Sequence, residues 1–305
     1  MKKHVIWLLS FVIGLSCMAL LVLQVRYINE MRTMRRQQFE ESVKRSLYAT
    51  AHNLEVYETM FRKSFFNLNY LNQTLTKATP VIMCGISGAV AWRAGHINLG
   101  IEGQMVCGAL YALIPTFLQD KSHVSLIMVT LMMNYIANYL STYLVSFPLK
   151  DTTSVNANQT MFLDDSLKFT RLFSNGQLST GFILSVLSVI LIYFLMNYTS
   201  FGYESKMSGF NPNFAKYGGV RERRVMYLTM ALSGAIAGFA GFVEVFGTKY
   251  RYSANMISQS GYAWTGLMAS LVGQYNPFAI LFYSIFFSGL TIGGQALQRD
   301  FGIPL

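Results

Sequence analysis

Apolar residues in this chain fall into long runs separated by short polar stretches, a spacing that predicts helices long enough to cross a membrane. The first run is Val5 to Leu23, preceded by Lys2 and Lys3. It also suits a signal peptide, but no small-x-small cleavage site follows it, so it reads as an uncleaved anchor. From Arg26 to about Arg62 the chain is charged and free of glycine and proline, which favours a long helix outside the bilayer. Beyond Phe65 the sequence turns rich in Gly, Met and aromatic residues. Further spans are expected at Thr79–Arg93, Gly100–Leu118, Val124–Phe147, Thr180–Asn197, Met226–Gly247 and Pro277–Leu297. Tyr262–Gln274 is apolar but too short to cross about 30 Å of hydrocarbon, which takes about 20 residues. It suits a broken or re-entrant helix packed within protein. Thr79–Arg93 and Gly100–Leu118 are also short and are separated by a Gly/Asn break, as in an interrupted pair lining a cavity. The expected fold is an all-α polytopic transmembrane bundle with a broken or re-entrant helix. Residues 1–65 (anchor plus charged helix) precede a transmembrane body over 66–305.

Two hydrophilic loops suggest an orientation. Lys150 to Ser179 balances Asp151, Asp164 and Asp165 against Lys150, Lys168 and Arg171. Phe201 to Val225 carries Lys206, Lys216, Arg221, Arg223 and Arg224 against Glu204 and Glu222. The positive-inside rule places the second loop in the cytoplasm and the first outside. Lys2 and Lys3 place the N-terminus inside and the chain after Leu23 outside. Counting back from the cytoplasmic loop, with 79–93 and 100–118 as full spans, puts the start of 79–93 inside, so the parity does not close.

Composition agrees with a membrane protein. Of 305 residues 52% are hydrophobic and only 12% charged, and the mean hydropathy is +0.35. The net charge of +10 lies in short segments flanking apolar runs, which excludes a nucleic-acid reading in favour of topology. Cys17, Cys84 and Cys107 lie in apolar segments with no metal-like spacing. His4, His52, His96 and His123 are scattered, and no catalytic constellation, metal site or phosphate-binding Gly-rich loop occurs. The chain reads as no enzyme and as binding no cofactor of its own.

The most specific stretch is Arg93-Ala-Gly-His-Ile-Asn-Leu-Gly-Ile-Glu-Gly-Gln104, where polar groups lie close to bilayer depth among glycines. Such groups face a polar cavity or pair internally, and glycines let broken helices bend and approach closely. A plain loop with a helix start near Glu102 accounts for the stretch equally well. Asn134 and Asn138 share a helix face and read as pathway lining or as interhelical glue. Tyr135, Tyr139 and Tyr143 repeat at the same spacing and suit packing or interface anchoring. Gly234, Gly238 and Gly241 form a small-residue face for helix packing. Glu244 on the same helix is either polar pore lining or an interfacial residue beside Lys249 and Arg251.

The run from Thr79 to Gln104 resembles the permease signature of ABC importers for nucleosides and simple sugars, within the branched-chain amino-acid/ribose permease superfamily. Thr130-Leu-Met-Met-Asn-Tyr-Ile-Ala137, Phe201-Gly-Tyr-Glu204 through Gly218, Ser260 to Pro277, and Gly293-Gly-Gln-Ala-Leu-Gln298 resemble further family blocks in the same order. The resemblance covers roughly residues 70–305. It implies a substrate pathway at Asn98, Glu102, Gln104 and Asn134. It also implies an ATPase-coupling loop with Gly202, Glu204, Gly209, Asn211, Pro212, Ala215 and Gly218, where Asn211-Pro-Asn-Phe is in addition a helix-start pattern. The implied partners are ABC ATPase subunits that use ATP, a second permease subunit (identical or related), an extracytoplasmic substrate-binding lipoprotein and membrane lipid. The implied location is the inner membrane, multi-pass.

Three departures from the family pattern are visible. Gly108-Ala-Leu-Tyr-Ala runs almost directly into Ile114-Pro-Thr-Phe-Leu, as though a helix pair were missing. The chain ends at Phe301-Gly-Ile-Pro-Leu305, where relatives continue. Residues 1–60 differ from a permease start and weakly resemble a sensor histidine kinase leader. Two other readings therefore stand beside the permease: a membrane-anchored sensory module, and a chimeric, truncated permease without transport activity.

Overall fold

A computed structural model describes residues 60–152, 158–173 and 176–301. The N-terminal anchor and almost all of the charged stretch after it lie outside the described residues. Residues Met60–Ala296 form one compact unit. Its helices are α1 (Leu68–Arg93), α2 (Ile101–Cys107), α3 (Ala109–Ser122), α4 (Leu126–Ser146), α5 (Gly181–Tyr198), α6 (Ser200–Phe210), α7 (Pro212–Tyr217), α8 (Glu222–Glu244), α9 (Met256–Ser260), α10 (Tyr262–Val272) and α11 (Pro277–Phe301). Leu68–Arg93, Gly181–Tyr198, Glu222–Lys249 and Pro277–Arg299 are long and apolar enough to cross a membrane. α4 has 21 residues, about 31 Å at 1.5 Å per residue, which also suffices. Two isolated β-bridges are the extended pairings among the described residues, and the architecture is the expected all-α polytopic bundle.

The span expected at Thr79–Arg93 is only the second half of α1. Asn69, Asn72, Gln73, Thr74, Thr76 and Lys77 hide its first half from a hydropathy reading. The helix tolerates them because Asn72, Thr74 and Thr76 are buried against protein and the other polar side chains lie at its partly exposed start. The hydroxyls find backbone partners there: Thr76 Oγ1 donates to the Asn72 carbonyl at 2.7 Å and Thr79 Oγ1 to that of Leu75 at 2.9 Å.

Helix ends fix the directions. Arg93 Nη2, ending α1, donates to Asn197 Oδ1 near the end of α5 at 2.9 Å, so α1 and α5 both finish at the 199–221 end of the bundle. Arg223, at the start of α8, pairs with Asp120 near the end of α3, and Tyr227 Oη donates to the same Asp120 carboxylate at 3.1 Å. At the other end residues 159–169 pair along 246–252: Thr160 N donates to Tyr252 O at 2.9 Å and Leu163 N to Tyr250 O at 2.8 Å.

The expected single span Gly100–Leu118 is instead a broken pair. α2 rises from the 199–221 end and Gly108 reverses the chain with φ 72° and ψ −158°. α3 then returns to the same end, and at 14 residues it covers about 21 Å, too short to cross. With α2 and α3 entering and leaving from one side, α1 starts at the 150–179 end. α10 is likewise a part-length helix, following a left-handed Gly261 (φ 66°).

Three glycines of α8 make this hairpin possible. A Cβ at Gly234 would lie 2.5 Å from Ala112 Cβ, one at Gly238 would lie 2.6 Å from Gly108 Cα, and one at Gly241 would overlap the Met105 carbonyl. Without side chains at these positions the backbones of α8 and the hairpin come into direct contact. Gly266 of α10 meets α1 in the same way, 2.7 Å from Cys84 Cβ and from Gly85 N. We expect Gly238→Val to destabilise the protein by about 1–3 kcal/mol, the usual cost of overpacking, seen as a lower Tm in detergent. Gly294→Ala, with open space around its Cβ position, should leave Tm unchanged.

Candidate functional site

The link from α1 to α2, residues 94–100, carries backbone groups that no helix satisfies; it starts at the 199–221 end and becomes buried at Asn98 and Gly100. Side-chain amides supply the missing partners. Asn98, fully buried, donates through Nδ2 to Gln104 Oε1 at 2.8 Å and to Ser233 Oγ at 2.9 Å. Gln104 Nε2 donates back to Asn98 Oδ1 at 3.0 Å, and Gly100 N donates to the same oxygen at 3.0 Å. Ser233 of α8 and Ser87 of α1 close the set: each hydroxyl stands 2.8 Å from the other's carbonyl, and the two hydroxyls are 3.0 Å apart. From α4, Asn134 accepts from Gly103 N at 2.9 Å and donates to Leu99 O at 2.8 Å. Four elements thus meet in one polar network inside an otherwise apolar bundle.

Of the four residues expected on a substrate pathway, Asn98, Gln104 and Asn134 belong to this network. Glu102 sits half-buried in the first turn of α2. The amides of Asn98 and Gln104 and the Asn134 side chain all engage protein, so they brace the broken helix and fix its angle to α8. Asn138, four residues on, is only partly buried, while Tyr135, Tyr139 and Tyr143 point to the bundle exterior, as anchors do. Ser87 and Ser233 join the network without having stood out in the sequence. Nothing in the spacing of either serine reveals a partner 146 residues away.

Glu244 is the other buried polar group of note, 2% exposed. Tyr262 Oη, at the start of α10, donates to its Oε1 at 2.9 Å. Lys77 of α1 and Lys249 lie within electrostatic reach. Glu244 therefore faces the bundle interior at the junction of α8, α1 and the broken helix α10, which removes it from the interface with lipid.

The 199–221 segment folds into α6 and α7. Thr199 Oγ1 accepts from Gly202 N at 3.3 Å to cap α6. Asn211 Oδ1 accepts from Phe214 N at 3.1 Å to cap α7, with Pro212 in the first turn, the helix start expected from sequence. Ala215 is buried and Gly218 caps the far end of α7, while Glu204 lines a shallow cleft with Tyr198 and Tyr203. Gly209 packs directly on the end of α1: a Cβ there would overlap the Arg93 carbonyl and stand 3.0 Å from Gly95 N. The loop therefore rests on the residues that open the amide network. Phe210, Phe214 and Tyr217 stand exposed on its outer face, Tyr217 at 93%.

His96 occupies the same turn, outside the spans, and its Nε2 is buried with no hydrogen-bond partner among the described residues. Burial pushes its pKa down to about 4. No group of three or more His, Cys, Asp or Glu side chains that could hold a metal occurs among the described residues.

A bundle of crossing helices with inward-facing polar groups, two broken helices and a helical loop at one end defines a membrane transport protein. The family described as "Branched-chain amino acid transport system / permease component" matches residues 105–301, and the chain belongs to that family. Over 285 positions the chain is 27% identical to the guanosine ABC transporter permease protein NupP of Bacillus subtilis, covering 81% of this chain and 80% of that protein. It is 25% identical over 290 positions to the glucose ABC transporter permease protein TsgB13 of Haloferax volcanii, covering 82% and 76%. A 59-residue stretch is 48% identical to the sensor protein RprX of Bacteroides fragilis, covering 19% of this chain and 11% of that protein. No solved structure matches the chain.

Two measurements check the site. Asn98→Leu and Gln104→Leu each leave a buried amide short of partners and should each cost about 1–3 kcal/mol. The double variant should cost less than the sum, because the two amides chiefly satisfy each other. Thermal unfolding of the four proteins reads this directly. For His96, the unfolded chain takes up a proton near pH 6.5 whereas the folded chain resists until about pH 4. Its contribution is therefore intact above pH 6.5 and is lost as pH falls towards 4. Tm should drop between pH 7 and pH 5, and His96→Asn should flatten that drop.

Proposed function

We propose that this permease moves nucleosides or simple sugars inward, driven by ATP hydrolysed on separate ABC ATPase subunits. In this reading it pairs with a second permease subunit, identical or related, and receives cargo from an extracytoplasmic binding lipoprotein. The basic 199–221 end faces the cytoplasm, as the excess of Arg and Lys there requires. The observation that carries the coupling is the seat of Gly209 on the Arg93 carbonyl. A push on the loop meets backbone on backbone, with no flexible side chain to absorb it, and reaches the Asn98–Gln104 network within a few residues. The exposed aromatics Phe210, Phe214 and Tyr217 form an apolar face that suits a groove on a soluble partner. Glu102 is the polar group proposed to meet cargo hydroxyls, with Asn98, Gln104 and Asn134 holding the broken helix that presents it. The permease relatives named for guanosine and glucose support this substrate class.

We further read the body as shortened by about one helix pair near Gly108–Ile114. The 285 aligned positions with the guanosine permease draw on 81% of 305 residues, about 247, leaving about 38 positions of the relative with no counterpart here. Two spans of about 20 residues each would fill that difference. The 59-residue sensor match is assigned to the first 60 residues, which the permease motifs leave uncovered. It favours a second reading in which that segment has a sensor origin and the permease body is chimeric.

Reconstitution with the cognate ATPase in proteoliposomes tests the proposal, with labelled guanosine and glucose uptake followed beside ATP hydrolysis. Gly209→Val and Pro212→Ala are expected to reduce uptake while hydrolysis continues. For Gly209→Val the loss should be about fivefold or more, given the roughly 1 kcal/mol minimum cost of overpacking. Wild-type uptake in both variants would sink the loop assignment, and an absence of uptake by the unaltered chain would favour the chimeric reading.

A further inference from the structure

A cleft of about 500 Å³ opens at the 199–221 end, between the finish of α1 and α5, the start of α11, and α6. We propose that it holds the phosphate headgroup of an anionic phospholipid. Depth is the first argument. Arg93 is the last residue of α1, Asn197 the penultimate residue of α5 and Pro277 the first of α11, and all three line the cleft. Where three membrane-crossing helices end together, hydrocarbon gives way to headgroups.

Charge is the second argument. Arg93 and Lys206 both line the cleft, and no carboxylate does. The acid nearest in sequence on α6, Glu204, lines a different cleft. Arg93 uses one nitrogen on Asn197, which anchors the guanidinium and leaves the remaining donors of its fork for a phosphate. Basic pockets between membrane helices are suited to acidic headgroups.

The flank and the floor complete the case. Beside the cleft, Tyr193 packs on Phe278 with ring centroids 4.7 Å apart, and Phe194, Tyr198 and Phe282 are exposed along the same helices. They offer an apolar wall for an acyl chain and interfacial aromatics at headgroup level. A soluble phosphate would satisfy the cations but would leave this wall unused. The floor is built on Gln274 and Tyr275, with φ of 49° and 61°, two consecutive non-glycine residues in the left-handed region. Such backbone persists where the surroundings enforce it and marks functional sites. It sets Tyr275 edge-on to Trp92, centroids 6.1 Å apart, in the cleft wall.

The test is lipid retention by the full chain, followed by native mass spectrometry after reconstitution in equal phosphatidylglycerol and phosphatidylcholine. The expected result is preferential retention of phosphatidylglycerol. Lys206→Gln should weaken it about fivefold, the effect of one basic residue near an anionic lipid surface, while Lys168→Gln at the opposite end should change nothing. Arg93→Gln should weaken retention further. Because Arg93 also braces α5, Lys206→Gln decides the matter alone if that protein does not fold. Equal retention of the two lipids, or phosphatidylglycerol retention indifferent to Lys206→Gln, would overturn the proposal. Displacement of the lipid by millimolar inorganic phosphate would transfer the site to a soluble phosphate and overturn the lipid assignment as well.

Discussion

The pairing of Asn98 with Gln104, extended from Asn98 to Ser233 and from Ser233 to Ser87, is the interaction on which the rest of this structure turns. A membrane interior supplies no water, so every backbone group released where a helix breaks must find a partner in the protein. The chain breaks between Arg93 and Ile101, where Asn98 and Gly100 are buried, and again at Gly108. Asn98 takes up the Gly100 amide, while Asn134 takes up the Gly103 amide and the Leu99 carbonyl. Asn98 reaches Ser233 of α8, Ser233 pairs with Ser87 of α1, and Asn134 stands on α4, so satisfying the break also ties three spans together. A broken helix, which would otherwise be costly, becomes the best-braced part of the molecule.

Close approach is the complement of that bracing. Hydrogen bonds of 2.8–3.0 Å between Ser87 and Ser233 require α1 and α8 to touch, and Gly234, Gly238 and Gly241 bring the α2–α3 hairpin equally near to α8. Helices packed in this way are poor at bending and good at shifting as rigid bodies. Gly209 on the Arg93 carbonyl extends the same rigid contact to the 199–221 loop. Loop, broken helix and central span therefore form a continuous series of close contacts that runs from the 199–221 end to the amide network. The cleft beside Arg93 adjoins this series, lined in part by Gly209 and Phe210 of α6.

Much of the site was legible because the residue types were so poorly suited to lipid. Asn98, Glu102, Gln104 and Asn134 stood out as polar groups among apolar residues and glycines, and three of the four do converge. Their task was less legible. An amide lining a pathway and an amide bracing a helix look identical until its partners are known, and Ser233 lies 135 residues from Asn98. The start of α1 was hidden for a related reason: hydropathy assumes a lipid-facing helix, whereas Thr74, Thr76 and Asn72 are buried in protein and hydrogen-bond locally. Asn211-Pro-Asn-Phe was read correctly as a helix start, since capping depends only on residues three apart.

Sequence alone determined the class of fold, because the length of an apolar run and the charge of its flanks answer to the bilayer and need no knowledge of neighbours. It also located the break between Arg93 and Ile101, since Gly and Asn act within a few residues of where they stand, but not the one at Gly108. Tertiary structure decided what each break does. That Gly108 reverses the chain, making α2 and α3 a hairpin open to one side, depends on the glycine face of α8 more than a hundred residues away. No local pattern encodes that reversal.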